Sequence, residues 1–219
     1  MPRSDVYVEV GAKRTFAGAV EWPGWCRSGR SEEAALETLV AYGGRYERAM
    51  ARAVGGFHPP SHAGDLRVRE RLTGNATTDF GAPSVAPSAD AGPLDARGLR
   101  RQQAILDACW VAFDGAVDDA GGARLTKGPR GGGRSLDAIV RHVVAAEGGY
   151  LRHVAARAPA EPTLEAVRDT VREALARAVR DGLPAAGPRG GRIWSVRYFV
   201  RRAAWHTLDH AWEIEDRRG

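Results

Sequence analysis

The sequence predicts an α+β protein in which a small N-terminal ββαβ module precedes a four-helix bundle. Short runs of alternating apolar and polar residues, which are typical of strands, occur in the first third of the chain. From residue 94 onward the apolar residues instead recur at helical spacing. A stretch rich in Gly, Pro, Ser and Ala, residues 73–93, separates the two patterns and has the composition of a linker. We therefore divide the chain into residues 1–72, 73–93 and 94–219.

The N-terminal module is predicted to contain two strands, a helix and a third strand. Val6, Val8 and Val10 alternate with polar residues, and a short turn then leads into the second strand. Ser31 is the predicted cap of the helix, because its hydroxyl can accept a first-turn N–H and two glutamates follow it. The predicted ranges of the four elements are 6–10, 15–20, 31–53 and 66–72.

Four amphipathic segments in the C-terminal part predict the bundle. Each presents apolar residues at spacings of three and four, which places them on one face of a helix. Ser135 marks the start of the second helix as its predicted N-cap. Metal sites in such bundles are normally built from side chains on facing helices. The predicted ranges are 95–119, 135–157, 163–181 and 194–217.

His206 and His210 are the most informative pair of residues in the chain. Four residues apart on the last helix, they lie about 40° apart on one face and about 6 Å apart along the axis. Neutral imidazole is the commonest protein ligand of zinc and similar ions, so the pair can share one ion. Thr207 stands where zinc proteases place a catalytic Glu, which excludes that class. A histidine pair that is solvated or packed in the core is the alternative.

His142 is the best candidate for a third ligand. It shares a predicted helix with His153, but the two lie about 16 Å apart and cannot bind one ion. His142 falls in the apolar, early part of the helix, whereas His153 lies in a more charged stretch. His58 and His62 flank two prolines that forbid an ordinary helix, so their spacing carries no geometric information.

The segment 136–147, followed later by the His206 and His210 pair, resembles the DinB/YfiT-like superfamily. The resemblance covers residues 94–217 and implies a bundle with up-down-down-up connectivity. It implies a three-histidine metal site with one ligand from the second helix, His142, and an HxxxH pair from the last. It also implies a thiol-dependent transferase or isomerase that uses a low-molecular-weight thiol such as mycothiol or bacillithiol.

The N-terminal module, residues 5–72, is similar to the HicB-like fold found in antitoxins. The similarity rests on the order of its elements and on Pro23, Gly24 and the start of the helix at Ser31. No separate DNA-binding element is evident in the sequence, so antitoxin function does not follow from the likeness. A small structural or dimerising module is the alternative.

Three arginines are candidates for contact with a substrate. Arg130 and Arg134 lie in a Gly-rich loop ahead of the His142 helix, and Arg202 precedes His206 by one turn. A planar guanidinium matches carboxylate or phosphate, so these residues predict a small, anionic substrate. A plain Arg- and Gly-rich linker is the alternative for the loop.

Asp209 and Glu213 are candidates for catalytic acid–base or orienting roles. Each follows one histidine of the last helix by three residues, which brings it near the predicted site without making it a first ligand. Solvated surface charge is the alternative for both.

Composition fits a cytoplasmic protein with an ordinary core. The chain is 43% apolar, and no apolar run approaches the length of a membrane span. Its two cysteines, Cys26 and Cys109, are assigned to different modules and predict no disulfide. The net charge of +5 is spread along the chain, and an acidic small molecule explains it as well as nucleic acid does. The expected partner is a small-molecule substrate or thiol, and nucleic acid is not expected. A homodimer is compatible with these features.

These observations predict a metal-dependent enzyme with a three-histidine site. Zinc is the expected ion, with nickel and manganese as alternatives. The expected reaction is thiol-dependent S-transfer or isomerisation, with hydrolysis as a lesser candidate. The rival class is a non-catalytic binding or regulatory, antitoxin-like protein in which the metal only braces the bundle; a closed coordination sphere would favour it.

Overall fold

The computed structural model describes residues 3–51, 53–122, 124–127, 133–187 and 190–218. It confirms the α+β class, with a four-stranded sheet in the N-terminal third and a mainly helical remainder. Among the helices in these ranges, none is both long and apolar enough to cross a membrane.

The sheet contains β1 (Ser4–Val10), β2 (Thr15–Ala19), β3 (Cys26–Gly29) and β4 (Leu66–Thr73) in the order β3-β2-β1-β4. β1 runs antiparallel to β2 and parallel to β4. The strand β3 is absent from the predicted ββαβ pattern. Its four residues are too few to show an alternating pattern, and β2 pairing supplies the extended conformation.

The predicted helix over residues 31–53 is two helices. α1 (Glu32–Ala41) begins at Ser31, whose hydroxyl accepts the N–H of Ala34 as predicted. The chain bends at Tyr42, and α2 (Gly43–Met50) follows without a side-chain cap. α1 packs on β2 and β3, whereas α2 packs on the first helix of the bundle.

The segment predicted as a linker is partly ordered. It contains the short helix α3 (Ala76–Phe80) and a 3-10 turn at Ser88–Ala91. Asp90 in that turn is buried and accepts hydrogen bonds of 2.6 and 2.8 Å from the guanidinium of Arg201. The composition gave no hint of this, because the contacts of the segment are mainly polar. Division of the chain into two domains stays a prediction.

The bundle is formed by α4 (Ala96–Ala120), α5 (Leu136–Tyr150), α6 (Leu164–Asp181) and α7 (Val196–Arg217). A polar side chain caps the N-terminus of each helix. α4 and α5 each pack against α6 and α7. The caps are Asp95, Ser135, Thr163 and Ser195.

α5 is shorter than predicted. It ends at Tyr150, and a 3-10 turn over Leu151–Val154 follows, closed by Ala155 in the left-handed conformation with φ 54°. His153 therefore lies in this turn and not on the α5 helix. Apolar residues continue across the junction, so the sequence pattern did not show the change.

The core is continuous between the sheet module and the bundle. Tyr42 and Trp212 pack with ring centroids 5.0 Å apart, and Phe16 meets Trp205 edge-on at 5.9 Å. Gly24, at φ 95°, lies against α7 so closely that a Cβ there would stand 3.1 Å from the side chain of Leu208. α7 is thus covered by the N-terminal module on one side and by α4 and α5 of the bundle elsewhere.

Candidate metal centre

Three histidines meet between α5 and α7. One ring nitrogen from each of His142, His206 and His210 lies within 4.8 Å of the others. The Nε2 atoms of His142 and His206 are 3.2 Å apart, and the three ring centroids are separated by 4.7 to 5.0 Å. The structure thus brings together the three residues that the sequence predicts as ligands.

Local sequence explains why the rings meet. His206 and His210 lie four residues apart, so they share one face of α7. On α5, Ile139 and Val143 are fully buried in a cluster with Ala211 and Ile214 of α7, and these contacts fix the two helices against each other. His142 is adjacent to Val143 and is held at the rim of this cluster, half-exposed, facing the pair.

A series of hydrogen bonds through Glu213 and Arg217 orients the ring of His210. Its Nδ1 donates to the Glu213 carboxylate at 2.8 Å, so Nε2 is the nitrogen left for the cluster. The other oxygen of Glu213 accepts from Arg217 at 2.6 Å. Arg217 also donates to the backbone oxygens of Thr126 and Arg134, which ties the start of the Gly-rich loop and its end to α7.

The electrostatics favour the neutral form of His142 and of His206. Burial, with the neighbouring His210 as a lesser cause, lowers the pKa of His142 and holds that of His206 well below its usual value. The hydrogen bond from His210 lowers the pKa of Glu213, so this carboxylate is ionised at neutral pH. Neutral imidazole offers a lone pair, and that is the form that binds metal.

Two of the three donor nitrogens have the spacing expected around a tetrahedral divalent ion. Two nitrogens bound at about 2.0–2.1 Å from such an ion are about 3.3–3.4 Å apart, close to the 3.2 Å between His142 and His206. Within the described ranges the cluster contains three histidines and no carboxylate or thiol as a fourth member. The twelve remaining residues include no His, Cys, Asp or Glu.

The predicted substrate arginines have different positions. Arg202 is partly buried, one turn before His206, and its charge is among the causes that lower the pKa of His206. Arg134 is exposed, and its charge lowers the pKa of both His142 and His206. Arg130 lies outside the described residues.

Asp209, predicted as a catalytic candidate, is engaged away from the histidine cluster. Its carboxylate accepts a hydrogen bond of 2.7 Å from Arg27 of β3. The same guanidinium lies over the rings of Tyr42 and Trp212, 4.0 and 5.3 Å from their centroids. In this structure Asp209 joins the sheet module to α7.

Other candidate residues also have partners elsewhere. His153 stacks on Trp194 with ring centroids 4.0 Å apart, and its Nδ1 lies 2.7 Å from the backbone oxygen of Arg192. His58 and His62 belong to the loop before β4 and are not in the cluster. Cys26 is buried against Tyr7, and burial raises the pKa of its thiol to about 12, so it is not a reactive thiolate.

Sequence reasoning missed one buried polar residue next to the centre. Glu147 on α5 is 1% exposed and accepts hydrogen bonds from Trp110 Nε1 at 2.9 Å and Thr207 Oγ1 at 2.8 Å. It links α4, α5 and α7, and its partner Thr207 follows His206 in the chain. Burial raises the pKa of its carboxyl group. A glutamate at an inward position of an apolar helix was the available signal.

Comparison with protein families gives a match to the C-terminal part of the chain. The family model described as the DinB superfamily matches residues 105–214, half of the chain, and this range contains all three histidines. The match does not reach the N-terminal sheet, so the HicB resemblance of that module stays a prediction. Searches of curated proteins and of solved structures find no match. The extent of the family match shows that the chain belongs to the DinB superfamily.

Proposed function

We propose that the chain is a metal-dependent enzyme whose divalent ion is held by His142, His206 and His210. One observation supports this most strongly: three imidazoles converge, and the described chain adds no fourth carboxylate or thiol. Three protein ligands with an open position are typical of catalytic zinc sites, whereas structural sites are closed by four. Zinc is the ion that we propose, with nickel or manganese as alternatives.

The proposed reaction is thiol-dependent S-transfer or isomerisation on a small substrate, with hydrolysis as a lesser candidate. A bound divalent ion would supply Lewis acidity and lower the pKa of a coordinated thiol or water. The DinB family match and the half-exposed position of His142 support access by a small molecule such as mycothiol.

The protein groups around the triad have separate proposed roles. Glu213 is a positioning residue, because both of its oxygens are engaged and one of them fixes the ring of His210. The charges of Arg134 and Arg202 face the histidines, so the site attracts anions. Arg130 is proposed as a further contact from the same loop as Arg134. Asp209 supports the site from outside through Arg27 rather than by proton transfer.

The N-terminal module is proposed to act as a brace of HicB-like fold. Its sheet and α2 cover α7, and no observation assigns it a ligand. A homodimer formed through this module is a further proposal, which size-exclusion chromatography with light scattering tests directly.

Metal content tests the proposed site. Protein purified without a histidine tag is expected to hold about one ion per chain. Single alanine substitutions of His142, His206 or His210 are each expected to remove most of it, because two histidines bind much more weakly than three. His153→Ala and His58→Ala are matched controls that keep the metal. Stoichiometric metal in the His206→Ala, His210→Ala double variant would contradict the proposal.

A further inference from the structure

The guanidinium of Arg202 is held beside the histidines, and no acceptor for it lies among the described residues. It stands one turn before His206 on α7, with its Cζ 4.6 Å from the ring centroid of Trp205 and 5.5 Å from that of Tyr150. Its Nη1 is buried and has no hydrogen-bond partner in the described part of the chain. The two aromatic rings can attract the positive charge of the guanidinium, but they offer no oxygen acceptor for its N–H groups.

The other buried arginines of α7 are paired. Arg201 donates to Asp90 and to the backbone oxygens of Ala19 and Val20. Arg217 donates to Glu213 and to two backbone oxygens. Burying a charged donor without an acceptor costs free energy, so folded proteins normally satisfy such groups.

Three other arginines also have a buried nitrogen without a partner among the described residues, but unlike Arg202 they form a hydrogen bond through another nitrogen. In Arg27, Arg168 and Arg197 the buried nitrogen without a partner is Nε, and each of these arginines donates through a terminal nitrogen to an oxygen of the protein. Arg202 has no such bond among the described residues. Its position and its missing acceptor together indicate a ligand that arrives with a negative charge.

We propose that Arg202 binds the carboxylate of the substrate while a second donor atom of the same molecule reaches the three histidines. This inference rests on the proposed function and narrows it to short carboxylic acids that carry a thiol or a similar metal-binding group. A single guanidinium neutralises the one charge of a carboxylate and can bind both of its oxygens in a planar fork.

Cobalt(II)-loaded protein provides the test, because thiolate binding to cobalt produces a charge-transfer absorption band. The probes are mercaptoacetate, 3-mercaptopropionate and 4-mercaptobutyrate, each compared with the mercaptoalcohol of the same length. At least one acid is expected to bind the wild-type protein roughly 10- to 100-fold more tightly than its alcohol, the range for a charge-assisted hydrogen bond.

Substitution assigns that preference to Arg202. Arg202→Met is expected to abolish the preference for the acid while cobalt binding is kept, and Arg202→Lys is expected to restore it in part. Arg197→Met, on the same helix but bonded to Pro93, is the matched control and should keep the full preference. If Arg202→Met does not fold, Arg202→Gln serves in its place, since it keeps polarity and removes the charge.

The outcomes separate the two proposals. Two results would overturn the role of Arg202 and leave the metal site standing. In the first, the wild-type protein binds cobalt through the histidines but binds the acid and the alcohol equally tightly. In the second, the preference for the acid survives in Arg202→Met and Arg202→Gln. Failure of the wild-type protein to bind cobalt through the histidines overturns both.

Discussion

The two faces of α7 differ in how their polar groups are satisfied. On the face that meets the N-terminal module, Arg201 is fully paired with Asp90 and with backbone oxygens, and Trp212 packs on Tyr42. On the face that meets α5, neither the buried Nδ1 of His206 nor the buried Nη1 of Arg202 has a partner among the described residues. A helix whose fold is secured on one face can therefore keep unsatisfied groups on the other, and those groups are available to ligands.

Removing residues 1–91, which include the N-terminal module and Asp90, should have the largest effect on folding. A division of the chain into independent domains would allow a fragment starting at Gly92 to fold and bind metal alone. The shared core favours the opposite result, because the fragment exposes Trp205, Leu208 and Trp212 and strips Arg201 of its acceptors. We expect an insoluble or molten fragment, as judged by circular dichroism and solubility. A cooperative unfolding transition in this fragment would show that the two faces are independent.

Breaking the buried ion pair on the module-facing side comes next. Arg201→Met leaves Asp90 buried and unpaired, so we expect a loss of about 3–5 kcal/mol in the free energy of unfolding. Urea denaturation measures this loss. The double variant Arg201→Met, Asp90→Leu removes both charges and should recover part of the stability. Metal affinity should be nearly unchanged in any variant that stays folded, since neither residue contacts the histidines.

Glu147, which bonds to Thr207 of α7, should make the stability of the folded protein depend on pH. Glu147→Leu leaves the buried donors of Trp110 and Thr207 unpaired, at about 1–3 kcal/mol for each. Glu147→Gln keeps an acceptor for both. Because burial raises the pKa of Glu147 in the folded protein, folding binds extra protons above about pH 4.3, and wild-type stability should fall with rising pH up to the raised pKa.

The Gln variant isolates this pH dependence. Its stability relative to the wild-type protein should rise with pH over that window, although Arg168 and Asp114 also act on the Glu147 carboxyl group, in opposite directions. Denaturation curves at a series of pH values give the difference directly. A difference that does not change with pH would mean that Glu147 has an ordinary pKa in the folded protein.

The smallest effect is expected at the edge of the module-facing side. Asp209→Ala removes a partly exposed ion pair with Arg27, while the packing of Arg27 on Tyr42 and Trp212 stays. We expect a loss of at most about 1 kcal/mol and no change in metal content. Thermal melts with metal analysis test both statements. Loss of activity at constant metal content and stability would instead return Asp209 to the catalytic candidates.

Local rules predicted the parts of the site that depend on one element. The spacing of His206 and His210 and the cap at Ser135 are properties of single helices, and the structure has them. His142 needed the family resemblance as well, because its pairing with α7 is a tertiary contact. The class of the fold followed from periodicity in the same way.

Long-range contacts explain what sequence reasoning did not find. Pairing with β2 stabilises strand β3, and a hydrogen bond from the distant Arg201 stabilises the turn at Asp90. Asp209 was expected near the histidines because it follows His206 by three residues, but Arg27 of a distant strand draws it away. Each of these contacts joins residues far apart in the chain, so a local sequence pattern cannot predict it.

A crystal structure of the zinc-loaded protein, with anomalous scattering measured at the zinc edge, tests the central claim most directly. We predict one anomalous peak bonded to Nε2 of His142, His206 and His210, with a water or another non-protein ligand in the remaining position. A peak at any other site, or a fourth side chain that closes the coordination sphere, would contradict an open catalytic centre and favour a metal that only braces the bundle.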